Sequence, residues 1–162
     1  MSTYVFIDIT NVHMSLKTPD VGYMWWEADW QKFYNFLCDK YRIGRVICFL
    51  WYNPKHTDIY TKLLKIGYEL IHKPMIPIWS GKHKGNCDAE MVLHAVDLQS
   101  QYDHAILVTG DGDFYCLAQY LINKGKLLKI IAPRNEKASS LLKGLWSTYF
   151  MTLQDIRSKI EL

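Results

Sequence analysis

A chain of 162 residues, 49% apolar and 14% aromatic, can bury the core of one ordinary domain, which excludes a disordered or low-complexity protein. The net charge of +3 is too small to mark a nucleic-acid binder on its own, yet it permits one. No stretch approaches about 20 apolar residues, so no membrane span is expected, and Asp8 interrupts the first apolar run, so no secretory leader is expected either.

In chain order, YVFID (4–8) is a short apolar run ending on an acid and predicts a buried strand. The spacing of Trp26, Trp30, Phe33, Phe36 and Leu37 predicts a helix over 26–41. RVICFLWY (45–52) predicts a second buried strand, and TDIYTKLLKIG (57–67) a helix closed by a glycine cap. ELIHK (69–73) reads as a strand, while PMIPIW (74–79), broken by two prolines, is edge or loop. After the basic loop SGKHKGN (80–86), CDAEMVLHAVDLQ (87–99) predicts a helix starting at Asp88. HAILVT (104–109) is a strand, DFYCLAQYLINKG (113–125) a helix, KLLKIIA (126–132) a strand and SSLLKGL (139–145) a short helix. YFMTL then leads into a terminal helix around 154–161. Buried strands alternating with helices imply a doubly wound α/β domain with a largely parallel sheet covered on both faces. Cys38, Cys48, Cys87 and Cys116 lack ligand-like spacing and read as buried, reduced thiols of a soluble, cytoplasmic protein, with no disulfide framework or zinc site.

In such a fold the ligand crevice lies beyond the carboxyl ends of the strands, where the winding reverses. Two predicted strands end there on acids: the first at Asp8, and AILVTGDGD at Asp111 and Asp113. If these strands are neighbours, Asp8 and Asp111 converge. Carboxylates gathered in one crevice repel each other and cannot all stay ionised unaided. A hard divalent cation resolves the conflict, and Mg²⁺ above all binds through one or two carboxylates plus waters and phosphates. The acid-rich twelve-residue loop of an EF-hand is missing.

Asp113 can serve as an N-cap for the helix opening at Phe114, and Asp88 opens its helix in the same way. Asp111, between two glycines, is not needed as a cap, and the glycines would leave room for a phosphate. Asp8, ending a buried strand, must find partners or be costly. Glu90, Asp97 and Asp103 read as solvated charges, with Glu90 near enough to Asp88 to assist. Asn11 and Thr109 are turn residues by default, and Asn11 could instead hold a metal-bound water or a phosphate. Lys82, His83 and Lys84 form a basic run that could steer a polyanion toward the acids, and Arg134 would emerge on the same rim and do likewise. His94 reads as structural. The Trp and Tyr residues offer stacking surfaces for bases, though the core accounts for most of them.

The order FID-x-x-N, then KGNCDAEMVLHA, then VTGDGDFYCLAQYL resembles the NYN domain family, also called LabA-like, of the PIN-like nuclease superfamily. The likeness is collinear from Tyr4 to about Leu153, with the GDGDF block its most specific part. It implies a PIN-like three-layer α/β/α sandwich with a central, mostly parallel sheet. It also implies an acidic centre binding Mg²⁺ or Mn²⁺ that hydrolyses RNA phosphodiesters with a metal-activated water. The catalytic and metal-holding acids would be Asp8, Asp88, Asp111 and Asp113, with Asn11 and Thr109 as supporting groups. Two departures stand out: Ile9-Thr10 replaces the Gly and small residue that often follow the first acid, and His94 stands where a second helix acid often occurs. The bulk at Ile9-Thr10 would hinder a φ > 0 turn there and alter substrate approach.

The implied partner is RNA, single-stranded, with no membrane; a homo-oligomer stays open. Two other functions compete. A non-catalytic RNA-binding or regulatory domain would explain the Ile9-Thr10 corner. A haloacid-dehalogenase-type phosphatase would use Asp8 as nucleophile, but Thr10 stands where its second acid belongs. Gly110-x-Gly112 lacks the third glycine of a dinucleotide site.

Overall fold

The computed structural model describes residues 1–73, 87–145 and 147–162. The proline-broken run 74–79 and the basic loop 80–86, including Lys82, His83 and Lys84, lie outside the described residues.

Strand β1 (Thr3–Asp8) is buried along nearly all its length, as a central strand covered on both faces must be. It runs directly into helix α1 (Ile9–Lys17), then α2 (Trp30–Lys40), β2 (Ile43–Trp51), α3 (Thr57–Ile66) and β3 (Glu69–Lys73). After the undescribed segment come α4 (Asp88–Asp97), β4 (His104–Val108), α5 (Tyr115–Asn123), β5 (Leu127–Ala132), α6 (Ser140–Lys143), β6 (Phe150–Thr152) and α7 (Arg157–Ile160). Among the described residues the strands form a six-stranded sheet in the order β3-β2-β1-β4-β5-β6. Every pairing in it is parallel.

Alternate strand residues face opposite cores. Val5, Ile7, Val46, Cys48 and Leu50 pack with Val12 and Leu16 of α1, Phe33 and Leu37 of α2, and Leu63 of α3. Tyr4, Phe6, Ile47, Phe49 and Leu107 pack with Met91 and Ala95 of α4, Leu117 and Leu121 of α5, and Leu142 of α6. Helices before α4 thus cover one face and those from α4 to α6 the other. Crossovers of constant hand require this change of face when strand order reverses. The reversal falls between β1 and β4, which pair from Thr3 opposite His104 to Ile7 opposite Val108.

The structure departs from the sequence reading in four places. Helix α1 replaces the simple turn expected after Asp8; Val12 and Leu16 supply an i,i+4 apolar pair, but β-branched Ile9, Thr10 and Val12 weaken the local signal. Helix α2 starts four residues later than the periodicity suggests, because the Asp29 carboxylate caps it by accepting from the Gln31 and Lys32 N–H groups at 2.9 and 3.0 Å. Trp26 stays outside that helix, buried by packing and donating from Nε1 to Gln154 Oε1 at 2.9 Å. Phe150–Thr152, expected only to lead into a helix, adds the short parallel edge strand β6 beside Ile130–Ala132. Finally, Cys48 and Cys87 are buried thiols as expected, but Cys38 and Cys116 are exposed; all four are free.

Phe114 is fully buried in the α4–α6 core and wedges the loop carrying Asp111 and Asp113 against it. Phe114→Ala is therefore expected to lower unfolding free energy by about 3–5 kcal/mol, read as a fall in the urea midpoint. An unchanged midpoint would show that the loop is not anchored through this ring.

Candidate active site

The carboxyl ends of β1 and β4, adjacent in the sheet, bring the acids together. Asp8 ends β1 and points to the α4–α5 face, since Phe6 faces that core and side chains alternate along a strand. Its carboxylate caps α1, accepting from the Asn11 N–H at 3.1 Å. Asp88 is the first residue of α4. Asp111 and Asp113 lie on the short turn between β4 and α5. Asp88, Asp111 and Asp113 each bring a carboxylate oxygen within 4.8 Å of the others. Asp8 stands beside this trio, close enough for the charges of Asp88 and Asp111 to bear on it.

The electrostatic consequence falls on Asp8. Burial pushes its pKa from the ordinary 3.8 to about 6; the Asn11 N–H opposes the rise, the Asp88 and Asp111 charges add to it, and a hydrogen bond from Thr109 opposes it again. Thr109 is completely buried, and its hydroxyl also accepts from the Asp111 N–H at 3.1 Å. One side chain thus links the end of β1 to the acid loop after β4. Asn11 adds a second link, its carboxamide oxygen accepting from the Gly110 N–H at 2.9 Å. That oxygen supports the loop, a role the sequence reading did not give it.

The capping roles are exchanged relative to expectation. Asp111 is the cap: its Oδ1 accepts from the Asp113 N–H at 2.9 Å and starts the 3₁₀ turn Gly112–Phe114. Asp113 makes no such cap for α5 and is exposed. The glycines also meet a packing demand. A Cβ on Gly112 would lie 2.5 Å from Ser139 Oγ, and one on Gly110 3.3 Å from Pro133 Cδ. They admit the segment after β5, whose Ser139 N–H donates to the Gly110 carbonyl at 2.9 Å. Ser139 escaped the sequence reading, although a serine opening a short helix was the available signal; its hydroxyl caps α6.

Arg134 does not emerge on the rim. Its guanidinium is fully buried, stacked 3.7 Å from the Tyr23 ring centroid and donating from Nη2 to the Thr18 carbonyl at 3.1 Å, beyond the end of α1. Its charge is met there by Asp20, whose Oδ2 lies 3.9 Å from the same Nη2, and not by the acids at the switch point. Glu90 is engaged by Lys73 at 3.0 Å, and His94 packs its ring edge-on to Phe49 at 5.4 Å, the structural role expected of it. The Ile9-Thr10 corner needs no positive φ, because the chain enters α1 directly from Asp8; no non-glycine residue among those described has positive φ. A cavity of about 300 Å³ lined by Val12, Leu16, Trp26, Trp30 and Leu63 lies on the other face of the sheet.

The donor set is oxygen only, without histidine or cysteine, which suits a hard ion such as Mg²⁺ or Mn²⁺ and not zinc. A parallel α/β sandwich with carboxylates converging at its switch point is the architecture of the PIN-like nucleases. The chain matches the NYN domain over residues 2–152 and belongs to that family. No curated protein resembles it closely enough to count as a match. Its fold is similar to the crystal structure of a protein of unknown function from Vibrio parahaemolyticus, with TM-score 0.78 and 22% identity over 99% of this chain and 96% of that one. No helix among the described residues is long and apolar enough to cross a membrane.

The raised pKa of Asp8 fixes a sign for the metal-free protein. The folded state holds this proton more tightly than the unfolded chain, so the contribution of Asp8 to stability falls as pH rises from about 4 through about 6 and then levels off. Asp8→Asn keeps the cap of α1 and removes the charge. It is expected to be more stable than the parent at pH 7 by about 1–3 kcal/mol, with the difference vanishing near pH 4. Chemical denaturation in EDTA at both pH values measures it, and a less stable variant at pH 7 would contradict the assignment.

Proposed function

We propose that this NYN domain is a metal-dependent ribonuclease that hydrolyses phosphodiester bonds of single-stranded RNA. The observation that carries the reading is the convergence of Asp88, Asp111 and Asp113 within 4.8 Å, beside a burial-strained Asp8. Such a cluster has an electrostatic cost without a cation and a use with one.

Asp88, Asp111 and Asp113 would hold Mg²⁺ or Mn²⁺, with Asp8 completing the negative wall behind them. When bound, the ion supplies an acidified water as nucleophile and positive charge against the phosphate oxygens. The chain's own residues do the positioning. Thr109 restrains Asp8 and the Asp111 backbone together, and Asn11 pins Gly110, so the acid loop keeps one geometry relative to β1. Asp8, buried beside the trio and capping α1, adds a further carboxylate to that wall, and a bound cation would favour its ionised form. The regular start of α1 at Ile9 means that the Ile9-Thr10 corner makes no demand for positive φ.

Asp111→Asn keeps a capping oxygen for the 3₁₀ turn while removing one charge from the cluster. It is expected to lose at least about 100-fold of Mn²⁺-dependent cleavage of single-stranded RNA at unchanged fold, followed by gel assay and circular dichroism. Mn²⁺ should raise the melting temperature of the parent more than that of the variant, as selective binding to the folded state requires. Absence of RNA cleavage by the parent with either ion, or equal cleavage by the variant, would sink the proposal.

A further inference from the structure

The acidic cluster leaves a question of affinity. An RNA strand brings negative charge to a site already negative, and two of the described cations are engaged elsewhere. Arg134 is buried under Tyr23, and Lys73 is paired with Glu90 at 3.0 Å. Contacts to the bases, which carry no charge, are then the economical way to hold the strand.

The same sheet edge carries such a contact. Tyr52 follows β2, three residues beyond Phe49, the strand partner of Asp8. Its N–H still donates to the Lys73 carbonyl at 3.0 Å, so the ladder with β3 continues to this point. At about 3.3 Å per residue, Tyr52 stands roughly 10 Å farther toward solvent than Asp8. It lies on the α3 side of the sheet, opposite the face of Asp8, so a subsite there requires a strand that crosses the sheet edge.

Tyr52 is also held in place. Its ring centroid is 5.6 Å from that of His72, nearly perpendicular at 84°, and 6.0 Å from that of Tyr60. Tyr60 and His72 are in turn 5.0 Å apart. The Tyr60 hydroxyl accepts from the Asn53 N–H at 3.0 Å and donates to the Trp51 carbonyl at 3.3 Å, fixing the backbone on both sides of Tyr52. Yet Tyr52 itself is 45% exposed. The next turn carries exposed Lys55 and His56. A large ring, supported from behind and open to water at the edge that carries the acids, is built to stack.

Resting on the ribonuclease reading, we propose that Tyr52, supported by Tyr60 and His72, is a base-stacking subsite that holds an unpaired nucleotide flanking the scissile phosphate of single-stranded RNA. The subsite selects unpaired RNA, because a base inside a duplex cannot present its face to the ring. It acts on substrate binding and leaves the acids untouched.

The test is steady-state cleavage of a single-stranded RNA oligonucleotide in Mn²⁺ by the full chain, with Tyr52→Ala and Tyr52→Trp beside the parent. Tyr52→Ala should raise KM about 5- to 100-fold at little-changed kcat, and Tyr52→Trp should restore it. Substrates with a single abasic nucleotide at successive positions provide a readout that needs no variant. One position should raise KM for the parent, and the same abasic change should add little for Tyr52→Ala. Equal KM for parent and Tyr52→Ala, or no positional dependence in the abasic series, overturns the subsite while leaving the ribonuclease reading intact. No cleavage by the parent overturns both.

Discussion

The seam between β1 and β4 is the constraint on which the rest of the site depends. These strands are far apart in sequence and adjacent in the sheet, and their pairing ends at Ile7 opposite Val108. The next residue on each strand is then polar: Asp8 on one, Thr109 on the other. From that register follow the Thr109 bond to Asp8, the Asn11 bond to Gly110, and the approach of Asp111 to Asp8. A slip of one residue would turn Asp8 toward the α1–α3 core and bury Ile7 among the acids.

The acids sit where the fold least favours them. Burial and like charges raise the Asp8 pKa to about 6, so an unaided site costs stability at neutral pH. The surrounding structure tolerates that cost by being over-determined. Phe114 anchors the acid loop from below, Ser139 holds it from the β5 side, and Gly110 and Gly112 admit that packing. Carboxylates held together at such a cost by a rigid frame form a cluster that could bind a metal ion. The buried Arg134 belongs to the same economy: its charge is met by the Thr18 carbonyl, the Asp20 carboxylate and the Tyr23 ring, and not by the acids at the switch point.

Much of this was legible locally. A buried strand ending on Asp8, another ending in TGDGD, and an acid opening the helix at Asp88 are each visible in a few residues, as is the alternation that yields a parallel sheet. Other features were not. Helix α1 hides behind β-branched residues and is stabilised by Val12 and Leu16 packing on the sheet. β6 is too short to show a period and exists through its pairing with β5. The sequence points to Asp113 as the cap, and the passing of that role to Asp111 rests on backbone geometry around the 3₁₀ turn. Arg134 follows a strand end in sequence, but the Tyr23 ring and the Thr18 carbonyl draw its side chain inward.

By itself, then, the sequence determined the class of fold, the identity of the acids and the family pattern they form, because hydrophobic period and motif spacing are local properties. The tertiary structure decided which strands are neighbours, which carboxylates share a site, and where the positive charge goes. Those depend on contacts such as Thr109 with Asp8 and Ser139 with Gly110, made between segments that no short stretch of chain contains.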